Sequence, residues 1–111
     1  MGLFFRNYLN LLRALASAIF DPRSLHLLAM TVSLVAISTV VFVYLEGWRP
    51  LDAAYFSVMT MATIGFGDLV PTTDAGKVFT VLFATAGIGL FVVLVSTIAT
   101  IFVANFVVEK R

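Results

Sequence analysis

Polar residues Arg6, Asn10, Arg13 and Ser17 recur every third or fourth position between Leu3 and Phe20, while Phe5, Tyr8, Leu12, Leu15 and Ile19 take the opposite side. That period predicts an amphipathic helix. A narrow apolar face opposite two arginines suits a helix lying in the headgroup plane against membrane lipid rather than one that crosses. Asp21-Pro22 is expected to end it, because the residue before a proline is pushed out of helical dihedrals. Leu25–Leu45 then carries no Asp, Glu, Lys or Arg and covers roughly 30 Å as a helix, the thickness of a hydrocarbon core. His26, at its start, reads as an interfacial imidazole. A second uncharged run, Val78–Val108, would extend roughly 46 Å and must tilt or project beyond the bilayer.

Between the two runs, Glu46-Gly47-Trp48-Arg49-Pro50 reads as an interfacial turn with Trp48 at headgroup level. Pro50 can open a short helix, with Asp52 in its first turn where the helix dipole favours an anion. A helix from about Leu51 to Ala62 reaches only ~18 Å, too short to cross, so it must enter and return. The backbone that follows is non-helical at membrane depth, which is tolerated only where it is buried in protein or lines a water-filled path. Composition agrees with a bilayer setting: of 111 residues 61% are hydrophobic and 12% charged, with a mean hydropathy of +1.08. The absence of cysteine excludes disulfides and thiolate metal sites, and a net charge of +1 gives no reason to expect a nucleic-acid partner. Ala14-Leu15-Ala16 has the form of a signal-cleavage site, but Asn7, Asn10 and Arg13 interrupt the apolar stretch such a signal needs, so no cleavage is expected. Arg6, Arg13 and Arg23 precede the first span and Lys110 and Arg111 follow the second, against Arg49 and Lys77 between them. This bias places both termini in the cytoplasm of a multi-pass protein of the cell membrane. The outer segment, with Glu46, Asp52, Asp68 and Asp74, has an acidic excess that would concentrate cations.

The segment after the re-entrant helix is Thr63-Ile64-Gly65-Phe66-Gly67-Asp68. Successive carbonyls point the same way only if alternate residues take unusual dihedrals, and Gly65 and Gly67 reach positive φ without a Cβ clash. The oxygens of Thr63, Ile64, Gly65 and Phe66, with the Thr63 hydroxyl as one more layer, can then replace the hydration shell of a monovalent cation. Thr60 and Thr63 lie where the short helix brings its partially negative end to the path. Thr63 is the better ligand; Thr60 is expected to return its hydroxyl to a helix carbonyl.

Helix, re-entrant helix, Thr-Ile-Gly-Phe-Gly-Asp and helix together resemble the pore module of tetrameric potassium channels. Glu46-Gly47 with Arg49-Pro50, Tyr55-Phe56-Ser57-Val58, Asp74 with Gly76-Lys77, and Gly87-Ile88-Gly89 resemble the small bacterial NaK-type channels in particular. The resemblance implies an all-α membrane protein: an interfacial helix over residues 1–22, then a pore domain over 23–111. That domain would hold spans at about 25–45 and 78–108, a pore helix at about 51–62 and an extended selectivity filter at 63–68. It further implies a homotetramer and K+ as the permeant ion. NaK-type filters carry an acidic residue where this chain has Phe66 and an amide where it has Asp68, so potassium selectivity is expected. A non-selective Na+/K+ pore, or a potassium transporter repeat of the Trk or Ktr kind, is the alternative.

By the same resemblance Tyr55 would donate a hydrogen bond to Asp68 behind the filter, although Asp68 also reads as a solvated mouth charge. Met59 stands where many potassium channels have a glutamate, which would weaken that clamp. Phe66 would pack behind the filter. Gly87 would be a gating hinge, or else a point of close helix packing. Ile88, Phe91, Val95, Ala99 and Val103 form an apolar stripe that would face either the pore or lipid, making Val95, Ala99 and Val103 candidates for a dewetting gate. No acid, base and nucleophile set is visible, so no enzyme is expected. No helix carries arginine at every third position, so no intrinsic voltage sensing is expected.

Overall fold

The computed structural model describes residues 2–110, with side chains as far as Val107. Arg111, counted in the charge bias above, lies outside the described residues, as do the side chains of Glu109 and Lys110. The described residues form helices joined by loops, without strands: α1 Gly2–Ile19, α2 Pro22–Glu46, α3 Pro50–Met61 and α4 Asp74–Lys110. The protein is all-α. Both α2 and α4 are long and apolar enough to cross a membrane, with mean hydropathies of 2.3 and 2.6. At 37 residues, α4 would be roughly 55 Å long.

Two helix starts fall earlier than the charge pattern suggests. Asp21 ends α1 and also opens α2: its side-chain Oδ1 accepts from Arg23 N at 2.9 Å and its carbonyl from Leu25 N at 2.9 Å. Pro22 takes the first helical position, where a missing N–H leaves nothing unpaired. The proline that stops one helix thus starts the next. The Arg23 amide, and secondarily its guanidinium, hold the Asp21 carboxyl below its usual range. At α4, Thr73 Oγ1 accepts from Gly76 N at 2.9 Å, so the helix begins at Asp74 rather than Val78.

The chain forms two compact units, one up to Leu28 and from Val93 onward, the other Ala29–Val92. In the first, the buried residues are small or aliphatic: Ala14, Ala18, Ser24, Leu94 and Ile101. The bulky face of α1, with Phe5, Tyr8, Leu12 and Leu15, stays exposed. Alanines one turn apart let helix backbones approach closely, and the aromatic face is left to a lipid interface.

The second unit is built around Phe42 of α2, which is fully buried. It stacks on Trp48 at 5.2 Å and meets the edges of Phe56 at 5.0 Å and Phe79 at 5.2 Å. Such pairs contribute about 0.5–1.5 kcal/mol each beyond area burial. One aromatic side chain therefore ties α2 to the turn, to α3 and to α4. A buried polar contact adds direction: Ser57 Oγ donates to Ala53 O at 2.8 Å, and Ser38 Oγ donates to Ser57 Oγ at 2.6 Å. The short helix is thereby fixed in rotation as well as in position.

Candidate functional site

α3 opens at Pro50, with Asp52 in its first turn bonded to Arg49 Nε at 3.3 Å. Its other end holds the segment 63–68. Thr63 N donates to Thr60 O at 3.0 Å and Ile64 N donates to Met59 O at 2.9 Å, with Gly65 N also reaching Met59 O at 3.3 Å. The first two bonds make a Schellman closure, which requires the residue after the C-cap Ala62 to be left-handed. That residue is Thr63, at φ 61°. Glycine is the usual occupant, and a β-branched residue here stores about 1–3 kcal/mol of strain.

Positive φ then recurs at Gly65 (50°) and Gly67 (81°) but at neither Ile64 nor Phe66. The alternation expected of the glycines is present and extends one step further back, to Thr63. Thr63 Oγ1 donates its proton to Ala62 O at 2.6 Å, so the hydroxyl lone pairs stay free to face a cation. Thr60 contributes differently from expectation. Its carbonyl holds Thr63, and its hydroxyl makes no bond to a helix carbonyl among the described residues. Met59 likewise acts through its backbone, its carbonyl holding two amides of the segment. No residue-type pattern signals a backbone acceptor.

Tyr55 donates to Asp68 Oδ2 at 3.1 Å, the pair anticipated from the sequence. Burial first, and then this bond and the charge of Asp68, push the Tyr55 phenol above its usual range, so it remains a donor at neutral pH. Behind the segment lies a cleft of about 160 Å3 between Tyr55, Phe56, Met59 and Thr60 of α3 and residues 65–70. Phe66 borders this cleft but is 70% exposed. The expected packing behind the segment is therefore not completed by the chain's own atoms.

Glu46 has a part that the charge count missed. Its carboxylate accepts from Thr72 N at 2.8 Å, Thr72 Oγ1 at 3.2 Å, Thr73 N at 3.1 Å and the Thr73 hydroxyl. The close approach also explains Gly76, where a Cβ would lie 1.9 Å from Glu46 Oε2. The last residue of α2 thus fastens the loop that leads from the segment into α4. Of the four outer acids, Glu46, Asp52 and Asp68 are engaged in hydrogen bonds, which narrows the picture of a free anionic mouth.

Of the lower candidates, Gly87 is buried, and a Cβ there would sit 2.9 Å from Met61 Cγ and 3.5 Å from Phe83 Cε1. Its absent side chain admits Met61, the last residue of α3. Phe91 packs against the Phe42 cluster and so leaves the stripe assigned to it. Val95, Ala99 and Val103 are exposed, while Leu94 and Ile101 on the other face are buried.

Comparison with known proteins bears on what this arrangement serves. The chain is 43% identical over 63 residues to the Two pore potassium channel b of Oryza sativa subsp. japonica, a stretch covering 57% of this chain and 17% of that protein. It is 34% identical over 70 residues to Potassium channel protein 1 of Methanocaldococcus jannaschii, covering 63% and 21% respectively. With Potassium channel subfamily K member 10 of Homo sapiens it shares 46% identity over 52 residues, 47% of this chain and 10% of that protein. The matched stretches thus span about a fifth or less of these relatives' length. Residues 29–104, which contain the whole of the second unit with the segment 63–68, match the ion-channel family, and the chain belongs to that family.

Proposed function

We propose that the chain is a subunit of a potassium-selective channel of the cell membrane, with Thr63, Ile64, Gly65 and Phe66 lending carbonyls to K+ and Gly67 completing the turn. The observation that carries this reading is the alternating positive φ at Thr63, Gly65 and Gly67. A chain that reverses its dihedral signs at every second residue turns its carbonyls to one side, where they can stand in for water around a dehydrated ion. The curated relatives named as potassium channels support K+ as that ion. Asp68, Tyr55 and the carbonyls of Met59 and Thr60 hold the segment from behind, so it resists both widening and collapse.

One chain supplies one strand and cannot surround an ion. A ring of copies is required, and a homotetramer is the arrangement the resemblance implies. Exposed Phe66 and the exposed stripe Val95, Ala99 and Val103 are apolar surfaces available to neighbouring copies. Convergence of that stripe on the cytoplasmic side would close the path by dewetting, with Gly87 as the point about which α4 bends. Both termini lie in the cytoplasm in this arrangement. Conduction proceeds by ions in adjacent sites displacing one another.

Reconstitution into liposomes tests the reading. The reversal potential under a potassium gradient opposed by sodium should lie close to the potassium equilibrium potential. A value near zero would leave a non-selective cation pore.

A further inference from the structure

The unit that reaches to Leu28 and resumes at Val93 contains an open groove of about 700 Å3 that the ion path does not use. Its size falls among ligand sites, which run to roughly 300–1,000 Å3. Arg23 and His26 from the start of α2 line one side, and Ser96, Thr97 and Thr100 of α4 the other. Leu27 and Ile101 supply apolar lining.

The polar side chains here can all donate, and no carboxylate lines the groove. Asp21, the carboxylate next to it, engages Arg23 through the backbone amide and Nε. That contact holds the guanidinium in place and leaves its two terminal amino groups. Two of the three hydroxyls here differ from most others on these helices, although Ser24 and Thr60 are likewise unbonded among the described residues. Ser33, Thr39, Thr80, Thr85 and Thr100 each turn back to the carbonyl four residues earlier, the ordinary arrangement for a hydroxyl on an apolar helix. Ser96 and Thr97 make no such bond among the described residues. Unmade hydrogen bonds are costly in an apolar setting unless something else accepts them.

Donors without acceptors, beside an apolar lining at the start of a membrane span, fit an acceptor-rich anion carried on hydrocarbon. We infer that the groove holds the phosphate headgroup of an anionic phospholipid, with Arg23, Ser96 and Thr97 on the phosphate and the acyl chains along Leu27 and Ile101. A choline headgroup is the poorer occupant, because its own cation would face Arg23. The inference rests on α2 and α4 crossing a bilayer and is independent of which ion passes.

The test uses the full chain reconstituted in vesicles of equal parts dioleoylphosphatidylcholine and dioleoylphosphatidylglycerol, recovered in detergent, washed, and analysed for lipid per chain by mass spectrometry. Charge-assisted bonds of this kind should favour retained phosphatidylglycerol by about tenfold. Arg23→Gln should lower that preference severalfold, and Ser96→Ala with Thr97→Ala, which removes donors to the phosphodiester both lipids share, should lower the retained amount of both lipids. Equal retention of both lipids by the unmodified chain, a preference that survives Arg23→Gln, or retention indifferent to the Ser96 and Thr97 changes overturns the inference. So does efficient disulfide pairing of Thr97→Cys, in a chain that otherwise lacks cysteine, because a second copy would then occupy the groove. Retention is read without ion flux. A conducting chain that shows no preference loses only the lipid site, and a lipid-selective chain that does not conduct loses only the pore.

Discussion

Thr63 carries two demands that pull apart. Its left-handed backbone favours glycine, while in the proposed pore its hydroxyl would add an oxygen to the carbonyls that hold the ion. Thr63→Gly should therefore separate them. Relief of about 1–3 kcal/mol of strain is partly offset by about 1 kcal/mol of added chain entropy, so thermal unfolding in detergent should not fall. Discrimination of K+ over Na+ should drop about fivefold, the equivalent of one hydrogen-bonding oxygen at about 1 kcal/mol, as read from reversal potentials. Unchanged discrimination would remove the hydroxyl from the ion path. Tyr55→Phe deletes the bond to Asp68 while keeping the ring, and flux through the variant should decay faster under sustained gradients; an identical time course would leave Asp68 as a mouth charge. The glycine dihedrals were legible in the sequence because residue type signals them, and the Tyr55–Asp68 pair came only with the resemblance, since the two lie 13 residues apart. Thr63's dihedral was not legible, since a β-branched side chain argues against it, and the carbonyls of Met59 and Thr60 have no signature at all.

At the level of elements, the end of α3 and the middle of α4 meet where Gly87 faces Met61. Gly87→Ala should destabilise the protein by about 1–3 kcal/mol through overpacking, and Met61→Ala by about 2–5 kcal/mol through the cavity it leaves. If packing is the reason for the glycine, the double variant loses clearly less than the sum of the two, measured by thermal unfolding. Strict additivity would leave the bend of α4 as the sole reason for the glycine. Ser57→Ala should cost no more than about 1 kcal/mol in the same unfolding measurement, because Ser38 Oγ keeps the Val35 carbonyl as an acceptor at 3.0 Å; a larger loss would make the Ser38–Ser57 bond the main tie between α2 and α3. Helix existence and approximate length were legible from charge-free runs and the three-to-four period. The starts of α2 and α4 were not, because each depends on a cap, Asp21 and Thr73, whose geometry appears only when the next turn is in place. Nor was the inner face of α1 legible. Hydrophobic bulk pointed to the phenylalanines, and close approach selected the alanines.

For the whole molecule, membership of the ion-channel family sets the chain apart from enzymes. In the proposed ring of copies, a neighbour would bury apolar surface that one copy leaves uncovered. Phe66→Ala should lower the temperature at which the detergent-solubilised oligomer dissociates, by the equivalent of about 3 kcal/mol or more if a neighbour buries the ring, and Phe66→Tyr should not. An oligomer indifferent to both would place the ring in water. Glu46 could be counted as an outer charge from its position, but its partners lie 26 and 27 residues away and no spacing rule joins them. Four bonds that end on one carboxylate cannot peel away one at a time. The turn after the ladder should let go in a single event, so the Thr72 and Thr73 amides should exchange their hydrogens at a common rate, and Glu46→Gln should quicken both alike.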